Sequence, residues 1–275
     1  MAGLYSMNTL GFIGAGRMAT ALAKGCINAG LVPASAVLAS DPVDAARKKF
    51  AADLPGVELA SDNAAVLAGA EVVVLAVKPQ MMQDVLAEIK PQVEPRHLLV
   101  SIAAGVTLAR LAEGLPPKTR LIRVMPNTPC LIGLGASCFS RGASATNDDA
   151  AIVERLLASV GKAYEVDESQ LDAVTGLSGS GPAFIYTAIE ALAAGGAAMG
   201  MPEKLALELA AQTAAGAAAM VQQTGLSPAE LRDQVTSPGG TTLAGLEALA
   251  ERDGAGAFRA AVEAAARRSI ELGQA

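Results

Sequence analysis

The sequence predicts an α/β, Rossmann-type doubly wound sheet over residues 1–168, followed by an all-α domain over residues 169–275. Three observations lead there. Short apolar runs alternate with helical stretches through the first half, a glycine-rich turn ends the first run, and after Leu171 the β-rich runs give way to Ala/Leu/Met/Glu-rich segments. Runs that are apolar on both faces and separated by helices are the pattern of buried parallel strands.

Met1 to Ser6 reads as a short extension before a first strand that starts near Met7. Leu10 to Gly14, Ala36 to Ser40, Val72 to Val77, His97 to Ser101 and Leu121 to Val124 read as successive strands. Runs near Ala136 to Ser140 and Ala163 to Val166, with a helix from about Asn147 to Val160 between them, extend the sheet. Pro182 and Pro202 suit the first turn of two long helices, roughly Pro182 to Met199 and Pro202 to Gln223. Ser227-Pro-Ala-Glu230 has the spacing of a capping box, and further helices are expected over about Thr242 to Glu251 and Ala255 to Leu272. The boundary between the two halves falls between 165 and 172.

Composition sets limits. Hydrophobic residues make up 52% of the 275 positions but aromatics only 3%, with no Trp, which suits helices packed closely through small side chains. A net charge of −6, with no basic stripe, argues against a nucleic-acid partner. No apolar run approaches the ~18 residues of a membrane span. Cys26, Cys130 and Cys138 form no Cys-x-x-Cys pair and leave an odd count, so they read as small core residues rather than as a disulfide framework or metal site. The first residues show no charged segment leading into an apolar one, so a cytoplasmic protein is expected.

The turn Gly14-Ala15-Gly16-Arg17-Met18-Ala19 matches Gly-x-Gly-x-x-Gly/Ala at the junction of a strand and a helix. In that setting the first glycine permits the tight turn, the second lets a pyrophosphate approach the backbone, and small Ala19 lets the helix sit close to the sheet. The choice of dinucleotide is expected at the end of the second strand, where Ser40 stands in place of the carboxylate that binds the ribose of NAD. That favours NADPH, with NADH possible because Asp41 is next in line. Arg47-Lys48-Lys49 reads as a solvated helix face. Lys78 follows a strand end, where ligands bind in such sheets.

Near the C-terminus, Ser237-Pro-Gly239-Gly240-Thr241-Thr242 combines a turn, unshielded backbone amides and hydroxyls, a set suited to holding a small anion beside a reacting centre. The chain has one histidine, His97 at a strand start, so neither histidine acid-base catalysis nor a His-rich metal site is expected.

Ala76-Val-Lys-Pro79, Ser101-Ile-Ala-Ala-Gly-Val106, Met125-Pro-Asn-Thr-Pro129, Gly176-Leu-Ser-Gly-Ser-Gly-Pro-Ala183 and Val235-Thr-Ser-Pro-Gly-Gly-Thr-Thr242 together resemble the pyrroline-5-carboxylate reductase family, in order and over nearly the whole chain. The resemblance implies an NAD(P)H-dependent Rossmann domain, an α-helical dimerisation domain, and a homodimer or ring of dimers. It implies phosphate contacts at Ile13, Gly14, Ala15, Gly16, Arg17 and Met18, 2′-phosphate contact at Ser40, and adenosine-side contact at Asn63. Ala76, Val77, Lys78 and Pro79, with Ile102, Ala103 and Ala104, would line the path to the nicotinamide. Ser237, Gly239, Gly240, Thr241 and Thr242 would bind the substrate, 1-pyrroline-5-carboxylate, on its way to L-proline.

In that reaction the amides of Gly239, Gly240 and Thr241 would hold the substrate carboxylate, and Thr242 or Ser237 would hydrogen-bond the ring nitrogen as hydride arrives. Two rivals share the layout. A β-hydroxyacid dehydrogenase-like enzyme would need a catalytic lysine after Gly179-Ser-Gly181, and the segment to Met199 contains none. A non-catalytic NADP-sensing protein would bind dinucleotide without turnover.

Overall fold

The computed structural model describes residues 7–274, and the expected extension Met1 to Ser6 lies outside the described residues. The chain forms two compact units, one running up to Ser180 and including the residues from Ala265 on, the other spanning Gly181–Ala264.

The first unit is built on one eight-stranded sheet. Its strands are β1 (Leu10–Ile13), β2 (Val37–Ser40), β3 (Glu58–Leu59), β4 (Val72–Leu75), β5 (Leu98–Ser101), β6 (Arg120–Met125), β7 (Gly135–Arg141) and β8 (Gly161–Glu165). They lie in the order β3-β2-β1-β4-β5-β6-β7-β8. The order reverses between β1 and β4, the switch point beside which doubly wound sheets bind ligands. The four residues of each of β1, β2, β4 and β5 are all buried, as expected of parallel strands covered on both faces.

Two features depart from the expected sheet. Strand β3 is two exposed residues paired with β2, and nothing in Glu58-Leu59 carries an apolar period. Strand β7 runs antiparallel to β6, because Thr128–Ile132 forms a 3-10 turn that reverses the chain without a crossover helix.

Helices α1 (Arg17–Asn28), α2 (Asp44–Asp53), α3 (Asn63–Gly69), α4 (Met82–Ile89), α5 (Leu108–Glu113) and α6 (Asn147–Ala158) cover the sheet. Ala19, Leu22, Ala23 and Cys26 of α1 join Phe12, Val37 and Val74 in one buried cluster, while Val66 and Leu67 of α3 and Met82, Val85 and Leu86 of α4 join Ile13 and Leu75 in the other. The segment after the expected boundary packs with the first unit. Helix α7 (Leu171–Val174) leads into one π-helical turn, Thr175–Gly179, with Leu171 fully buried and the Ser178 carbonyl accepting from Asn127 Nδ2 at 3.1 Å.

Further helices are α8 (Gly181–Ala198), α9 (Glu203–Thr224), α10 (Pro228–Gln234), α11 (Thr241–Glu251) and α12 (Gly254–Gln274), the last ending within the first unit. The capping box at α10 forms as expected: Ser227 Oγ accepts from the Glu230 amide at 3.2 Å, and Glu230 Oε2 accepts from the Ser227 amide at 2.8 Å. At the far end of α12, Ser269 Oγ donates to Asp172 Oδ1 at 2.6 Å, and buried Arg123 bonds Glu168 at 3.0 Å. Helix α8 buries no residue and α9 only Ala206 and Ala210, leaving Ile185, Tyr186, Leu192, Leu207 and Leu209 exposed. Among the described residues no helix is long and apolar enough to cross a membrane.

Candidate active site

The glycine-rich turn has the geometry its sequence requires. Gly14 has φ +101°, and a Cβ there would stand 2.7 Å from the Ala76 carbonyl oxygen, so only glycine fits where β1 passes β4. The Gly14 amide donates to the Ser40 carbonyl at 2.8 Å, which pins the turn to the end of β2. Gly16 caps α1 with extended backbone, and a Cβ at Gly16 would meet nothing within 4 Å. The free amides of the first turn of α1 therefore open onto unobstructed space, as a pyrophosphate needs.

A cleft of about 340 Å³ adjoins this turn, lined by Ile13, Gly14, Ser40, Asn63 and Val77 among the residues expected to contact cofactor. Ala15 is buried beneath it, and Arg17 is exposed on α1. The second strip divides. Pro79 and Ala104 line a separate cleft of about 430 Å³, Ala103 is buried in the core, Ala76 and Ile102 pack against the other core cluster, and Lys78 is exposed.

Asp41 lines the cleft beside the glycine-rich turn, and backbone amides take up both of its carboxylate oxygens. Its Oδ2 accepts from the Ala15 amide at 2.9 Å and its Oδ1 from the Val43 amide at 2.8 Å. Ser40 is nearly inaccessible and donates its hydroxyl to Asn63 Oδ1 at 2.6 Å; Asn63 Nδ2 in turn donates to Glu88 Oε2 at 2.9 Å.

The basic cluster after β2 divides as well. Lys48 and Lys49 are solvated and pair with Asp44 and Asp53, as a helix face should. Arg47, expected on that same face, turns into the cleft instead: its Nη1 donates to the Asp41 carbonyl at 2.5 Å and its Nη2 to Asp44 at 3.1 Å. An acceptor at the end of β2, invisible in the spacing of Arg47-Lys-Lys49, draws it inward. Glu88 carries no signal in the sequence beyond its helix position 25 residues past Asn63.

In the helical unit, Ser237 to Gly240 forms a turn with the Gly240 amide donating to the Ser237 carbonyl at 3.0 Å and Gly239 at φ +69°. Proline at the second position and a positive φ at the third define a type II turn. Gly240 then caps α11, and a Cβ on it would stand 2.5 Å from Ser237 Oγ. Ser237, Gly239 and Thr241 are exposed and Thr242 half-buried, so hydroxyls and first-turn amides share one accessible helix start.

His97 is buried and structural. Its Nδ1 accepts from the Glu94 amide at 2.9 Å, which leaves the proton on Nε2, 2.9 Å from the Leu67 carbonyl. Burial holds its pKa below the ordinary value.

Residues 168–272 match the family model described as pyrroline-5-carboxylate reductase dimerisation, and residues 9–105 match one described as NADP oxidoreductase, coenzyme F420-dependent. The pyrroline-5-carboxylate reductase of Pisum sativum is 48% identical over 264 residues, 96% of each chain. Pyrroline-5-carboxylate reductase 3 of Rattus norvegicus is 49% identical over 263 residues, 96% of this chain and 95% of its own. The crystal structure of Plasmodium falciparum pyrroline carboxylate reductase with NADP bound superposes with a TM-score of 0.88 at 32% identity, covering 98% of this chain and all of that one. The chain belongs to the pyrroline-5-carboxylate reductase family.

Proposed function

We propose that the chain carries out the reaction of its family, reducing the C=N bond of 1-pyrroline-5-carboxylate to give L-proline, the last step of proline biosynthesis, with NADPH as reductant. Bound NADPH supplies the hydride. The open amide face at Gly16 and the cleft beside it fit a dinucleotide, with the amides of Arg17 and Met18 facing its phosphates and Ser40, Asn63 and Arg47 at its adenosine end. Val77 and, further along, Pro79 and Ala104 flank its course toward the nicotinamide.

The remaining tasks fall to the turn before α11. A protonated imine is already electrophilic, so the protein needs chiefly to orient it and to satisfy its carboxylate and nitrogen. Amides of Gly240 and Thr241 at a helix start suit the carboxylate. Thr242 hydrogen-bonds the ring nitrogen, and Ser237, whose hydroxyl lies against Gly240, is the alternative partner. The observation that carries this reading is the type II turn at Ser237 to Gly240, an accessible anion seat in a chain of this family.

We further place residues 1–168 as the dinucleotide-binding domain and 169–275 as the substrate-binding and dimerisation domain of a cytoplasmic homodimer or ring of dimers. The three free cysteines fit a reducing compartment, and the exposed apolar residues of α8 and α9 fit an oligomer interface. Steady-state oxidation of NADPH and of NADH with the five-membered imino acid tests the function. Turnover with formation of L-proline is expected; dinucleotide binding without turnover would replace this reading by a sensing role.

A further inference from the structure

We propose that Glu88, a residue acting through two others, sets how strongly this protein distinguishes NADPH from NADH, by fixing the direction of the relay Glu88–Asn63–Ser40. The inference rests on the cleft beside Gly14 being the adenosine end of the dinucleotide site.

The direction follows from which groups can donate. An ionised carboxylate only accepts hydrogen bonds, whereas a carboxamide has one accepting and one donating end. Glu88 Oε2 stands 2.9 Å from the Asn63 amide, so the donating Nδ2 must face it. The accepting Oδ1 is thereby turned toward Ser40, 2.6 Å from its hydroxyl oxygen. Ser40 has one hydroxyl proton and gives it to Asn63. What Ser40 can then offer to the cleft is a lone pair.

A lone pair at that place accepts from a ribose 2′-hydroxyl. It has nothing to offer a 2′-phosphate, which at neutral pH presents oxygens and little else. To donate to a phosphate, Ser40 must release Asn63, and Asn63 must rotate its Nδ2 toward Ser40. That rotation would set Asn63 Oδ1 against the Glu88 carboxylate, acceptor against acceptor. Glu88 therefore opposes the arrangement that NADPH needs and supports the one that admits NADH, so it narrows the preference for NADPH without reversing it.

The rest of the cleft has the same bias. Asp41, Asp62, Asp84 and Glu88 line it, and Arg47 is the cation among the lining residues. Arg47 already donates to the Asp41 carbonyl and to Asp44.

Glu88 lies on the exposed side of α4, so replacing it leaves the core intact. Equilibrium binding of NADPH and of NADH to the full-length protein, followed by calorimetry, reads the effect without catalysis. Glu88→Ala is expected to shift the ratio of the two dissociation constants toward NADPH by about tenfold or more, the size of one hydrogen bond to a charged group. Asp84→Asn removes a carboxylate from the same cleft but not from the relay, and should shift the ratio much less. Ser40→Ala should weaken NADH binding more than NADPH binding in the unaltered protein; placed in the Glu88→Ala protein it should weaken NADPH by a larger factor than it does in the unaltered one.

Three results would overturn the relay: a ratio unchanged within about twofold in Glu88→Ala, an equal shift in Asp84→Asn, or a loss of NADPH affinity on Ser40→Ala that is the same in both backgrounds. Failure of the unaltered protein to bind either dinucleotide would overturn the cofactor reading, and the relay with it.

Discussion

The Asp41 carboxylate fastens the buried Ala15 amide of the glycine-rich turn, accepting from it at 2.9 Å while its second oxygen accepts from the Val43 amide at 2.8 Å. Asp41 is thereby a brace of the cofactor turn. Asp41→Ala leaves the Ala15 donor of this partly buried hydrogen bond without its carboxylate acceptor, and should destabilise the protein by about 1 kcal/mol. Asp41→Asn keeps one accepting oxygen and should lose less. Urea unfolding of the two variants checks this; equal stability to the unaltered protein would show that the brace carries no free energy.

Thr242→Ala should lower kcat/KM for the imino acid by roughly 10- to 100-fold, the effect of one hydrogen bond of about 1.5–3 kcal/mol to a group whose charge changes during reaction. Thr242→Ser should retain most activity, and NADPH affinity should stay nearly constant in both. The amide seat for the carboxylate survives either change, so the Ala variant should still bind L-proline. A wild-type kcat/KM for Thr242→Ala, with loss on Ser237→Ala, would transfer the role to Ser237.

The helical unit should self-associate. Leu192 and Leu207 are 58% and 50% exposed, on helices that bury almost nothing within the chain, and Met199, just past α8, is 87% exposed. So much exposed apolar surface marks an association face. Sedimentation at micromolar concentration should give a dimer or a multiple of it. Charged substitutions at Leu192 and Leu207 together should dissociate it; a fully active monomer would refute the prediction.

Stability should fall in acid partly through His97. Burial holds the folded-state pKa below the ordinary 6.5, so between those two values the unfolded chain binds the proton more readily than the folded one. The contribution of the neutral ring is complete above pH 6.5 and is lost as pH drops toward the folded value, with a slope of at most about 1.4 kcal/mol per pH unit. Chemical denaturation from pH 7.5 down to 5 compares the protein with His97→Gln, which should be less stable at neutral pH but show a shallower acid dependence. Parallel curves would exclude His97 as a contributor.

The parts of this protein legible in its sequence are those specified by neighbouring residues. Buried strands are legible as short apolar runs, the cofactor turn by Gly14 and Gly16 ahead of Ala19, the turn before α11 by Pro238-Gly239, and the start of α10 by Ser227 and Glu230. Each is a local conformational demand that only certain residues meet. Glu58-Leu59 became a strand with no such signal, because β2 offered it an open edge.

Tertiary structure decided what the site residues do. Resemblance alone points to Asn63 in the sequence; its link to Ser40 and to Glu88, 25 residues on, exists because α3 and α4 pack on one face of the sheet beside the end of β2. Arg47 and Asp41 likewise took their roles from the fold, one drawn in from a basic run to the Asp41 carbonyl and the other taken up by the Ala15 amide 26 residues away. Hydrogen-bond direction depends on which donors and acceptors strand order brings within 3 Å, and no spacing along the chain encodes that.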